Sequence, residues 1–440
     1  MLGKYPSPCA VKCRCNRQLR NKKEEILEPM EHDAKWNGKQ VKAHLLQTKY
    51  NTDKRKAFSK ISYLRWMPTY AWQRLTRFRP RGTVHLIIAL ADHFEPAIVP
   101  EDGRARAPYD EQERRLEAWC RDYPQAAKKW RDNDGQPLIH TYFYPAEQYD
   151  HALVEQLAEH CHNGWGEVEI HLHHGIDSPA TVSSTRGQLI EFRDRLAKQH
   201  GCLCYLDGLG PPRYAFVHGD FALANATGGF GCGVDQEIQV LADTGCYADF
   251  TLPAAAFHPG QVKTVNSVYE CALPLDARAP HRKGHNLRRG ESPRTFPIIV
   301  QGPLMLDFDR SSRSGLGRFE TAALTDVNPP SMRRLRLWER AGIMVEGQPD
   351  WLFIKLHCHS MVPHHRDALL GTTFQGFMAE LVAGARDRKE ILHFVTAREM
   401  VNIIWAVCDG REGTPGDHRD YRLRRFDRRK GEATRLPNLR

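Results

Sequence analysis

The feature that most constrains this chain is the regular exchange of short apolar runs with longer amphipathic ones between residues 83 and 408. Strand-like runs occur at 84–91 (VHLIIALA), 138–143, 167–173, 214–218, 246–252, 297–301 and 352–359. Segments with helical spacing occupy 111–130, 149–162, 185–200, 234–243 and 366–386. Parallel neighbours in a sheet need a long crossover between them, commonly a helix, so this alternation predicts a parallel α/β sheet. After the run LHFV at 392–395, Thr396 and Glu399 form a capping box, whose hydroxyl and carboxylate satisfy the orphan amides of a helix running to about Cys408.

Polar side chains gather at the C-terminal ends of many different strands, where the active sites of barrels lie. The fold class expected is therefore a (β/α) barrel, seven-stranded and irregular, with a basic N-terminal extension. No GxGxxG or GxxxxGK[ST] stretch follows the first strand, which excludes nucleotide binding by those loops.

The formal charge of +10 is unevenly placed. Residues 1–82 hold 20 Lys and Arg against 6 Asp and Glu, and residues 410–440 hold 10 against 5, which leaves the residues between them at −9. Duplex-binding proteins put their cations on the folded face that meets phosphate, so an acidic middle argues against a nucleic-acid partner. The organisation expected is a flexible basic arm (1–55), a basic aromatic amphipathic segment (56–82), the barrel (83–408) and a basic C-terminal tail (409–440). In the second of these, Phe58, Tyr63, Trp66, Tyr70, Trp72 and Phe78 interleave with cations. That mix suits either an anionic membrane surface or packing on the barrel. With no apolar leader and no apolar run long enough to span a bilayer, a cytoplasmic location is expected, with membrane association through that segment. The twelve cysteines are then reduced thiols, and Cys9, Cys13 and Cys15 lack the second ligand pair of a zinc finger.

The chemistry-bearing residues sit at strand ends. The first strand stays apolar to Ala91 and then reads Asp92-His93-Phe94-Glu95. In EVEIHLHHGID the pleat puts Glu167, Glu169, His171 and His173 on one face and His174 on the other, with Asp177 four residues beyond His173. Imidazole with carboxylate is a donor set that Zn²⁺ and similar ions select. The last strand repeats the pattern: Lys355, His357 and His359 alternate, and Cys358 points away. A histidine near a metal but outside its coordination is a natural general acid. His218 and Asp220 follow the fourth run, and Asp249 lies in the fifth, all three in supporting positions.

Taken in order, these motifs resemble the NodB-type polysaccharide deacetylases, carbohydrate esterase family four, over roughly residues 83–408. The resemblance implies that Asp92 stands at the place of the catalytic base. It puts His93 at the ligand place where the family has Asp, with Glu95 or Asp92 as the other candidates. His173-His174-Gly175-Ile176-Asp177 is similar to the His-x-x-x-His motif, with Asp177 as second ligand. His218 occupies the place of an arginine that positions the base, Tyr247-Ala-Asp249 matches the fourth motif, and His357 or His359 supplies the acid.

What the resemblance implies is a hydrolase with one divalent transition metal, Zn²⁺ in the first instance, that removes N- or O-acetyl groups from an acetylated glycan. Two other readings stand beside it. One is a metal-dependent glycosidase, which needs two carboxylates across the sugar, supplied from Asp92, Glu95 and Asp249. The other is a catalytically inactive glycan-binding protein, consistent with the motif departures.

Overall fold

Both faces of the first strand are buried, which is why it reads as an unbroken apolar run and not as an alternation. This strand, β1 (Val84–His93), is followed by α2 (Tyr109–Ala127), β2 (His140–Pro145), α3 (His151–His160), β3 (Gly166–Leu172) and α4 (Val182–Lys198), and is preceded by α1 (Met67–Thr76). Then come β4 (Cys204–Leu206), β5 (Leu209–His218), α5 (Glu237–Thr244), β6 (Cys246–Asp249), β7 (Val268–Cys271), β8 (Gly284–Asn286) and β9 (Ile298–Val300). The chain continues through β10 (Met305–Asp307), β11 (Arg318–Glu320), α6 (Met332–Ala341), β12 (Trp351–Cys358), α7 (Thr372–Gly384), β13 (Glu390–Val395), α8 (Ala397–Cys408), β14 (Leu423–Asp427) and β15 (Glu432–Ala433). The computed structural model describes residues 65–77, 80, 82–100, 102, 105–308, 318–427 and 432–433. The arm expected over 1–55, and Phe58, Tyr63 and Phe78 of the aromatic segment, lie outside the described residues.

A 13-stranded, mostly parallel mixed sheet follows the order β12-β1-β2-β3-β5-β6-β9-β7-β8. All seven strands expected from the sequence belong to it, in an α/β arrangement alternating with helices. Among the described residues no ladder joins β9 back to β12. The run before the capping box is a strand with a particular place. β13 pairs the lower part of β1 from Val84↔Glu390 to Ala89↔Val395, and β2 takes over the same edge from Leu90↔His140 to His93↔Phe143. The Thr396–Glu399 capping box is present as expected.

The pleat divides the sheet into two cores. Leu86, Ile88 and Leu90 of β1, Ile170 and Leu172 of β3, and Leu352, Ile354 and Leu356 of β12 face the helices. Against them α2 buries Leu116, Trp119 and Tyr123, and α4 buries Leu189, Phe192 and Leu196, at the three- and four-residue spacing of one helix face. The opposite parity, Ile87, Ala89, Ala91, Ala215, Val217 and Phe353, packs with Met400, Val401, Ile403 and Ile404 of α8. Every residue of that helix except Glu399 is buried, and a helix enclosed on nearly every side is mostly apolar all round. Each fully buried Leu, Ile or Phe contributes roughly 1.5–3 kcal/mol.

Both ends of the described chain dock on this body. Trp66 is fully buried and donates its indole N–H to the Ala256 carbonyl at 3.1 Å, and the Tyr70 hydroxyl accepts from Leu306 N–H. Trp72 and Leu75 stay exposed. Residues 409–427 dock through Arg419, which binds Asp132 and Asp134, and through Asp420, which binds the buried Arg398. No described helix is long and apolar enough to cross a membrane.

His160, under α2, bonds the Tyr142 hydroxyl at 3.0 Å. Burial, with the neighbouring His140, lowers its pKa to about 4. The unfolded chain, with a histidine pKa of ~6.5, therefore binds this proton first. Stability from this group is complete above pH ~6.5 and falls as pH drops toward about 4, by on the order of 3 kcal/mol. His160→Gln should narrow the difference between denaturation midpoints measured at pH 7 and pH 4.5.

Candidate metal centre

The pleat carries past the end of β1, so His93 and Glu95 share the inner face and Asp92 faces the helices. On β3 the same rule sends His171 inward, with His173 following it beyond the strand end. β12 contributes His357 and, just after the strand, His359. Parallel pairing places these ends together: Ala91 lies opposite His357, and His171 opposite Val217.

The best-organised part is the set Glu95, His171 and His173. Nε2 of His171 lies 2.9 Å from Glu95 Oε1, and Nε2 of His173 lies 3.5 Å from the same oxygen. Each ring is oriented from behind, His171 Nδ1 by the Val217 carbonyl at 2.7 Å and His173 Nδ1 by Glu147 Oε1 at 2.8 Å. Metal-binding histidines are commonly held this way, with one nitrogen fixed by an acceptor and the other aimed at the ion. His93 and His359 border the set, their ring centroids 4.6 Å apart, and with Glu95 they form a second group of converging donors. His173, His357 and His359 are half-buried, so the centre is open on one side.

The carboxylate of Glu95 is ionised, while the rings around it divide between neutral and protonated. Burial, then the neighbouring histidines, hold His93 well below the usual imidazole range, and burial likewise lowers His357 and His359. Burial opposes ionisation of Glu95, but its hydrogen bond to His171 and the charges of His173 and His171 bring it down to about 2. Burial also opposes protonation of His173, yet Glu147 and Glu95 outweigh it and raise the pKa to about 9. Beneath the mouth, burial raises Asp249 to about 7 and lowers Lys355 to about 7. Lys355 donates to the carbonyls of Phe250 and Leu252, both at 2.6 Å.

Other expected residues sit elsewhere. Asp92 is fully buried on the helix side, where it binds His140 Nδ1 at 3.1 Å and accepts Ser360 N–H at 2.9 Å. It therefore holds the turn that carries His359 and does not reach the mouth. Asp177 is exposed and belongs to no converging group of donors among the described residues, because the chain turns outward after Gly175. Asp220 is exposed on the loop after β5, near enough to His173 to act on its charge. Asp249 accepts from the Thr251 hydroxyl and amide, and Thr251 accepts His218 N–H. His218 belongs to a second group, His174, His218, Cys232 and Glu237, fully buried and able to hold a metal ion.

The sequence reading missed Glu147, Cys232 and Glu237. Glu147 stands two residues beyond β2, as Glu95 stands two beyond β1, and that parity was the available signal. Compared with known proteins, the chain matches no family model and no curated relative.

The geometry makes a graded prediction for metal affinity, measured by calorimetric titration. Glu147→Gln should weaken binding at the mouth by about 10–100-fold, and His173→Ala by more. Asp177→Ala should leave it unchanged.

Proposed function

We propose that the chain is a metal-dependent hydrolase that removes acetyl groups from a glycan, its sheet closed as a (β/α) barrel. The observation that carries this reading is the pair of Nε2 atoms, from His171 and His173, aimed at one oxygen of Glu95 from rings that are each anchored at Nδ1. Closure is supported by Lys355 of β12 reaching the carbonyls after β6. It is supported too by the approach of Gly302, after β9, where a Cβ would lie 2.6 Å from the Lys355 carbonyl oxygen.

Glu95, His171 and His173 would hold the ion, and the donor set suits Zn²⁺. A divalent ion bound there supplies Lewis acidity toward the acyl carbonyl and toward water. His359 is half-open and held neutral near pH 7, so an imidazole nitrogen of His359 takes the proton of the attacking water and returns it to the departing amine or alkoxide. His93, neutral behind it, keeps positive charge from accumulating beside that proton. Glu147 fixes the His173 ring. Asp92, assigned as base on the family pattern, acts instead by positioning the Ser360 turn.

The glycan class rests on the order of the strand-end motifs, and the test addresses it directly. Acetate release is measured from N-acetylated chito-oligosaccharides and O-acetylated xylo-oligosaccharides. His359→Gln should keep its metal and lose about 100-fold in rate. New reducing ends without acetate would replace the deacetylase reading with a glycosidase. No acetate from either class with metal bound would overturn it.

A further inference from the structure

One peptide unit from the mouth, the chain builds a second set of donors of a different kind. His174 continues the helix-facing parity of Leu172, and His218 ends β5 on the same side. Glu237 opens α5, and Cys232 lies in the loop between them. Nε2 of His174 and Nε2 of His218 are 3.0 Å apart. Glu237 Oε1 lies 2.6 Å from the first and 3.2 Å from the second, and Cys232 Sγ lies 3.6 Å from Glu237 Oε2. All four side chains are buried, Cys232 and Glu237 completely.

Hydrogen bonding alone leaves one buried nitrogen of this arrangement without a partner. The Gly219 carbonyl, 2.6 Å from His218 Nδ1, can only accept, so that nitrogen carries a proton and Nε2 is the atom His218 presents to the group. Nε2 of His218 faces both the His174 nitrogen and a carboxylate oxygen. Two Nε2 atoms thus crowd one carboxylate oxygen, while His174 Nδ1 is buried without a partner. A catalytic thiol is excluded as the explanation, because Cys232 has no surface through which to meet a substrate.

We infer that His174, His218, Cys232 and Glu237 form a closed structural zinc site, separate from the mouth. Two imidazoles, a thiolate and a carboxylate are a zinc donor set, and four protein ligands without an open position mark a structural site. Tetrahedral nitrogen and oxygen ligands at ~2.0–2.1 Å lie about 3.3 Å apart. The 3.0 and 3.2 Å pairs are near that spacing, and the 2.6 Å pair must open by several tenths of an ångström.

The site also gives the loop 219–236 something to fold on. The loop's own core is Ala222, Cys232 and Val234, and Asp220, Phe221, Ala224 and Asn225 have positive φ. Its backbone is pressed on the turn after His174: a Cβ on Gly175 would lie 2.0 Å from the Cys232 carbonyl oxygen. At its start Gly219 lies against the His173 ring, where a Cβ would lie 2.2 Å from Cδ2. Zinc in this site would thus hold one wall of the mouth.

Sulfur distinguishes the two centres, since no cysteine belongs to the donor groups of the mouth. The experiment uses the full chain with Cys9, Cys13 and Cys15 changed to Ser, reconstituted with zinc or cobalt under reducing conditions. Zinc-edge absorption should show a sulfur ligand at ~2.3 Å, and the cobalt form a thiolate charge-transfer band. Cys232→Ser should lose the band and the metal that carries it, whereas Glu95→Gln, which removes a donor of the mouth, keeps the band. Absence of sulfur coordination in the parent chain would overturn the inference even if Cys232→Ser does not fold. Unchanged metal content and spectrum in a folded Cys232→Ser would also overturn it.

Discussion

The mouth depends on β1 being hydrogen-bonded along both edges. β12 runs beside it from His85↔Trp351 to Asp92↔Cys358, while β13 and β2 share the other edge. A parallel strand held this way cannot slip by one residue without turning His93 toward the helices and Asp92 toward the mouth. The placement of Glu95, His357 and His359 follows from that register, because each lies within a few residues of paired backbone.

The same pleat explains what could be read from the sequence. His171 and His173 alternate on a strand with a clear period of two, and their shared face was legible. Asp92 was assigned to the mouth because the apolar run stops at Ala91, yet the strand continues through His93 and its parity puts Asp92 with Leu90. Asp177 was drawn in by a motif spacing that assumes the chain continues along the site. Cys232 and Glu237 were not legible, since the glycine-rich loop before α5 has no period that relates them to His174. The place of β13 on the edge that β1 shares with β2 is likewise a long-range fact that no local pattern carries.

His173 and His174 show how little separates the two centres. Adjacent residues at a strand end point to opposite sides, so one peptide serves an open, histidine-rich mouth and a closed set with a thiol. The open centre has half-buried rings, and those of His93, His357 and His359 are held neutral, as proton transfer requires. The closed centre is buried on all four side chains, and its donors are drawn from the turn after β3, from β5 and α5, and from the loop that joins the last two.

The order in which the strands are made has its own consequence. β1 is synthesised before its partners: its β12 edge waits for residues 351–358 and the lower part of its other edge for residues 390–395. Until then the nascent chain carries an apolar strand with unpaired backbone groups, the kind of segment that associates with other chains. Completion of this fold therefore waits for strands far along the chain, and slow closure of such distant contacts sets a need for protection of β1 that a fold with local pairing would not have.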